Sequence, residues 1–135
     1  MAENIKLEVV TPEKSVVSES AQIVMAPGTL GEFGVLSGHT PFLTTLKTGA
    51  IKYKDGSGAE HFVFVSSGFA EALPDRVTVL AESAERRRDI DVERAQSAAE
   101  RAEKRLQSGE MDIDYVRAKA ALLRAISRIQ LAETR

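Results

Sequence analysis

The residue vocabulary of this chain changes once, near Ala84, and that change limits its folds more than any other feature. From Ile5 to Ala81 the segments are short, rich in Val, Ile, Phe and Thr, and broken by Gly, Pro and Asp, which is the pattern of strands and turns. "IKLEVV" and "RVTVLA" alternate polar and apolar residues as half-buried strands do, while "AQIVMA" and "HFVFVSS" are more continuously apolar, as central strands are. "DGSG", between "AIKYK" and "AEHFVFV", signals a hairpin because glycine tolerates positive φ. Past Ala84 the chain turns to Ala, Glu, Arg, Gln and Leu, all good helix formers; one glycine, Gly109, remains and proline disappears. The expected fold is α+β: an antiparallel β-sandwich or flattened barrel over residues 1–84, then an antiparallel two-helix hairpin over 85–135.

Val92, Ala95, Ala99, Ala102 and Leu106 form one helical stripe, and Val116, Ala120, Leu123, Ile126 and Ile129 a second. Between them "QSGEMD" offers a stop at Gly109 and an N-cap at Asp112. In a symmetric hairpin turning near Gly109, facing residues have numbers that sum to about 219, which sets Arg94 opposite about position 125 and Arg101 opposite about 118. Arg94 and Arg101 share one face of the first helix, and Arg124 and Arg128 are neighbours on the second. Like charges so placed repel unless they are solvated, paired or given an anion. Two readings of "RRRDIDVERA" and its partners therefore stand side by side. In one, guanidinium groups near the first helix start clamp a polyphosphate; in the other, Arg94, Arg124 and Arg128 pair with Glu85, Asp91 and Glu93.

Charge and composition exclude several functions. Lys+Arg 18 against Asp+Glu 20 gives a net charge of -2, so no global basic field gathers nucleic acid. Residues 1–84 carry 6 basic and 10 acidic side chains, and residues 85–135 carry 12 and 10. Arg86 to Arg88 are flanked by Glu85 and Asp89, and aromatic residues make up only 5% of the chain, which weakens both phosphate attraction and base stacking. A basic hairpin binding nucleic acid or protein is the alternative function class. "GTLGEFG" lacks the Lys-Ser/Thr ending of a phosphate loop and precedes no helix. Two histidines are too few for a metal site, no nucleophile elbow is present, and Asp89 and Asp91 sit where carboxylates cap helices. The absence of cysteine suits a reducing compartment. No apolar run approaches a bilayer span and Met1 to Val10 lacks a signal-peptide layout, so the chain is expected in the cytosol or peripheral to a membrane through partners.

"APGTLGEFGVLSGHTPFLTTLKTGAI", "FVSSGFAEALPDRVTVLAESAE" and "DIDVERA" together resemble the epsilon subunit family of bacterial and chloroplast F-type ATP synthases, equivalent to the mitochondrial delta subunit. Ser37 and Ser67 depart from the proline and glycine common at those positions. The resemblance implies a ten-stranded sandwich bound to the gamma subunit and the ring of c subunits, with Glu32 and Phe33 on an exposed loop near that ring and His39 ordering its turn or touching gamma. It implies a non-catalytic rotor subunit, peripheral on the cytoplasmic face of the bacterial inner membrane. It also implies a hairpin that inhibits ATP hydrolysis when extended towards the alpha/beta catalytic head. No cofactor is required, but ATP is a candidate regulatory ligand of the folded hairpin. Carried over residue by residue, its site comprises Glu85, Ile90, Asp91, Arg94, Ala95, Arg101, Arg124 and Arg128.

Overall fold

The computed structural model describes residues 3–134. Seven strands come first: β1 (Ile5–Val10), β2 (Ser15–Gly28), β3 (Gly31–Val35), β4 (Phe42–Leu46), β5 (Gly49–Asp55), β6 (Glu60–Leu73) and β7 (Arg76–Arg86). A 3-10 turn at Arg87–Asp89 leads into α1 (Val92–Gln107) and α2 (Tyr115–Glu133). The chain divides into two compact units between Arg86 and Arg87.

The strand unit closes on itself. β1 pairs antiparallel with β2 and parallel with β7; β7 pairs with β6, β6 with β5, and β5 with β2. Hydrogen bonding thus returns to its starting strand, and a closed circuit leaves few edges to template aggregation. Alternation along β1 sends Ile5, Leu7 and Val9 inward, and along β7 Val77, Val79 and Ala81, where they meet Val24, Ile51, Val63 and Val65 in one core.

The strand count is seven rather than the expected ten, because two long strands, β2 and β6, each serve two sets of neighbours without breaking. β2 pairs with β1 along its first half and with β5 and β3 along its second. β6 pairs with β5 over Glu60–Val65 and with β4 over Gly68–Ala72, while β7 accompanies it along its length. The handover falls at Ser67 and Gly68, whose φ angles are +44° and +139°. A Cβ on Gly68 would lie 2.1 Å from the Leu80 carbonyl oxygen, so only glycine fits there. Ser67 holds a left-handed conformation despite its Cβ, and its hydroxyl donates to Glu82 at 3.1 Å.

"DGSG" forms the expected hairpin turn between β5 and β6. Asp55 accepts bonds from the Ser57 hydroxyl (2.6 Å), the Ser57 amide (2.9 Å) and the Ala59 amide (3.1 Å), and meets His61 Nε2 at 2.7 Å. The Ser57 hydroxyl and then His61 hold the Asp55 carboxyl well below the usual carboxylate range. His61 in turn stacks on Tyr53, with ring centroids 4.9 Å apart.

Both helices open on one six-residue pattern, Ile-Asp-x-x-Arg-Ala, at Ile90–Ala95 and Ile113–Ala118. Asp91 accepts from the Arg94 amide at 3.1 Å, and Asp114 from the Arg117 amide at 3.0 Å, each a side-chain N-cap. An isoleucine just before each cap and a buried alanine four residues after it, Ala95 and Ala118, occupy the positions of a hydrophobic staple. The cap of α2 is therefore Asp114, not Asp112, which lies in the turn two residues earlier. Gly109, at φ +69°, follows the C-cap Ser108 and ends α1 as expected.

The helices run antiparallel. At one end Arg87 Nη1 donates to the Thr134 carbonyl at 3.0 Å, and at the other Arg105 and Arg117 line a common depression. The expected α1 stripe is the inward one, with Ala95 and Ala102 buried and Val92, Ala99 and Leu106 half-buried. The α2 stripe is not the expected one. Ala118 and Ala125 are buried, whereas Val116, Leu123 and Ile126 face out with relative exposures of 80%, 54% and 36%. The seam takes the smallest side chains, seven residues apart on each helix, because they let two backbones approach closely.

Inside the strand unit, the phenol of Tyr53 donates to Glu19, and Arg86 Nη1 donates to the same phenol oxygen at 3.0 Å. Tyr53 is fully buried, and burial, then the bond to Glu19, pushes its phenol up to about 12 from 10.0. A raised phenol pKa means that the unfolded chain gives up this proton first as pH rises. The stabilisation is complete below pH 10.0 and is lost as pH climbs towards about 12. Urea unfolding of the protein and of Tyr53→Phe should therefore give a stability difference that is constant up to pH 10.0 and shrinks between there and about pH 12. A difference flat across that window would show that Tyr53 ionises like a solvated phenol.

Candidate functional site

The eight candidate ligand residues differ in what holds them. Glu85 lies on β7, paired with Phe64, and the other seven lie in the helical unit. Ile90 is buried before the first cap, the Asp91 carboxylate is engaged by the Arg94 amide, and Ala95 is buried in the helix seam. These three residues recur in type at Ile113, Asp114 and Ala118, so their presence is explained by helix initiation alone. Arg94 recurs too, as Arg117, so the pattern alone does not single it out; its place opposite the arginines of α2 does.

The antiparallel pairing brings Arg94 level with the second pair of arginines. Arg87 meets Thr134 and Arg105 shares a depression with Arg117, so facing numbers sum to 221 and 222. Arg94 is thus level with Ser127 and Arg128, and Arg101 with Ala120, two positions further along α2 than the symmetric turn suggested. Arg124 sits one turn from Arg128, and Arg101 lies about 10 Å along α1 from Arg94. Among the described residues Arg94, Arg101 and Arg124 form no ion pair. Asp91, offered as a partner in the ion-pair reading, spends its carboxylate on a backbone amide instead. At the same end of the hairpin, a depression of about 540 Å³ is lined by Arg87, Arg88, Ile90, Val92, Ala132 and Thr134.

The candidate partner residues of the strand unit also need adjustment. Phe33 is not at a loop tip: it lies on β3, packs against the core, and meets Phe42 edge-on with ring centroids 5.1 Å apart. The loop reading failed because its glycines pair in register with β2, Gly34 opposite Met25 and Gly31 opposite Gly28. Glu32 is exposed on the same strand, and the true tip residue is Leu30, which is 99% exposed. His39 orders its turn, with its amide bonded to the Leu36 carbonyl at 3.1 Å, Nδ1 2.7 Å from the Thr40 carbonyl, and its ring 5.0 Å from Phe42. Phe33 and His39 therefore flank one aromatic ring.

A surface that the sequence reading overlooked runs across four strands. Val10 is in register with Leu80, Leu80 with Phe69, and Phe69 with Thr45. Leu80 and Phe69 are more than half exposed, and with Pro12 and Leu46 they line an apolar depression of about 740 Å³. The signal was available in β7, where Leu80 occupies an outward position between Thr78 and Glu82. Among the described residues no group of three His, Asp or Glu side chains could hold a metal ion, and no helix is long and apolar enough to cross a membrane.

Comparison with known proteins matches this two-part layout. Residues 4–87 fit the family model for the ATP synthase delta/epsilon chain beta-sandwich domain, and residues 88–133 fit that for its long alpha-helix domain. The ATP synthase epsilon chain of Desulfosudis oleivorans is 72% identical over 109 residues, covering 81% of this chain and 82% of its own length. That of Desulforapulum autotrophicum is 69% identical over 106 residues, covering 78% of each chain. In fold, the chain is similar to one in the Euglena gracilis mitochondrial ATP synthase, with a TM-score of 0.79 at 23% identity over 92% of this chain and 78% of that one. With both domains matched in order, and relatives this similar across most of their length, the chain belongs to the ATP synthase delta/epsilon chain family.

Proposed function

We propose that this chain is a non-catalytic central-stalk subunit of a proton-translocating F-type ATP synthase, in which the strand unit joins gamma and the c-ring and the hairpin regulates ATP hydrolysis. The apolar row Val10–Leu80–Phe69–Thr45 carries the joining role. Large apolar side chains on an otherwise polar sheet face mark a surface awaiting a partner, and the closed circuit of strands beneath holds that face rigid. Gamma is the partner assigned to it. Leu30, with Glu32 on the adjoining strand, projects from a different part of the unit and suits the c-ring. Membrane association is then peripheral, through the complex, on the cytoplasmic face of the bacterial inner membrane. Leu80→Glu places a charge in the centre of the row without disturbing the core. In pull-down with purified gamma it should weaken binding by on the order of tenfold or more; unchanged binding would assign gamma to another face.

ATP is the regulatory ligand proposed for the hairpin. Arg94, Arg124 and Arg128 stand at one level of an antiparallel pair, and at least two of them lack a carboxylate partner among the described residues. A polyphosphate would relieve their repulsion and favour the folded hairpin, since a ligand shifts an equilibrium by its preference for one state. The outward Val116, Leu123 and Ile126 supply the surface that reaches the alpha/beta head when the hairpin opens. Calorimetric titration of the purified chain with ATP should show saturable binding, weakened roughly tenfold or more by either Arg94→Ala or Arg124→Ala. Absence of binding up to millimolar ATP would leave the arginines as solvated charges and remove ATP from the account.

A further inference from the structure

Three consecutive arginines, Arg86, Arg87 and Arg88, stand where the strand unit gives way to the helical one, and their surroundings differ. Arg87 donates to the carbonyl and hydroxyl of Thr134 at 3.0 and 3.4 Å, inside the helical unit. Arg88 is exposed. Arg86 turns back into the strands: Nε donates to the Val16 carbonyl at 3.3 Å, Nη1 to the Tyr53 phenol at 3.0 Å, and Nη2 stands 3.5 Å from Glu19 Oε1. Its side chain is 20% exposed. One guanidinium therefore ties the last residue of β7 to β2 and β5, neither of which neighbours β7 at that point in the sheet, where its backbone pairing is to Val63 on β6.

The tie is itself braced. Tyr53 donates to the same Glu19 carboxylate that faces Arg86, and its ring stacks on His61, which is held by Asp55 at the β5–β6 turn. A line of contacts thus runs from the hairpin turn through a buried phenol to the end of β7. The parallel register of β7 with β1 ends at Val10 and Leu80, six residues before Arg86. Strand ends fray more readily than strand centres, and any pull from the following helices acts on this one first.

We propose that the Arg86–Glu19–Tyr53 cluster is a clamp that fixes the end of β7, so that movement of the helical unit is absorbed in Arg87–Asp91 and never peels β7 from β6. The clamp stands on the sandwich alone; that the helical unit moves rests on the regulatory reading given above. Without the clamp, displacement of the helices would propagate towards Ala81 and Leu80 and disturb the apolar row. With it, the two surfaces of the protein are mechanically separate.

Amide hydrogen exchange of the full-length chain tests this with Glu19→Gln, which keeps an acceptor for Tyr53 but discards the ion pair, and with Arg86→Gln, which removes the guanidinium that makes all three contacts. Both should exchange at least roughly tenfold faster at residues 83–86, about what the loss of one charge-assisted hydrogen bond gives, while Val77, Val79 and Val65 keep their protection. Unchanged exchange at 83–86 in both variants would overturn the clamp. So would equal acceleration throughout the sandwich, which would make the cluster a contributor to global stability and not a fixed end. Neither result depends on whether ATP binds or the hairpin opens.

Discussion

The parallel pairing of β1 with β7 is the constraint on which the rest of the strand unit depends. A chain of antiparallel hairpins would leave β1 and β7 as open edges; joining them closes the circuit β1–β7–β6–β5–β2. Closure fixes which side of every strand faces inward, since a slip of one residue would turn the core residues of β7, Val77 and Val79, out to solvent. The same register aligns Val10, Leu80 and Phe69 on the outer face. This exposed apolar row is thus a by-product of the fold's tightest geometric requirement.

The helical unit is organised by a weaker principle. Its seam is made of alanines, which gain little from burial individually and contribute mainly by permitting close approach. Val116, Leu123 and Ile126 on α2 point outward, while Leu131 is buried. An element that leaves this much aliphatic surface exposed is suited to a further apolar partner. Sandwich and hairpin consequently suit the different tasks proposed for them, attachment and switching, with Arg86 at the boundary.

Much of this was legible in the sequence. The change near Ala84 separated strands from helices, although β7 continues through Arg86, because a guanidinium that reads as linker charge is in fact engaged by Tyr53 and Glu19. Alternation in "IKLEVV" and "RVTVLA" gave the inward faces correctly. The α1 stripe was readable because its alanines share one face with Val92 and Leu106, and Gly109 marked the helix end. On α2 the aliphatic and alanine faces compete, and hydrophobicity favoured the wrong one; close packing selected Ala118 and Ala125. Periodicity could not choose between Asp112 and Asp114 as the cap, but the repeat of "IDVERA" in "IDYVRA" could have done so. Long-range polar contacts, such as Tyr53 with Arg86, carry no local pattern and were not readable at all.

The central claim is a division of labour between a strand unit that attaches and a helical unit that regulates. It is tested most directly by reconstituting the ATPase complex with the chain lacking residues 88–135, and measuring in one experiment both incorporation of the truncated chain and the rate of ATP hydrolysis. The account predicts incorporation equal to that of the full chain together with a changed, faster hydrolysis rate. Failure of the truncated chain to join gamma, or full incorporation with an unaltered rate, would contradict it.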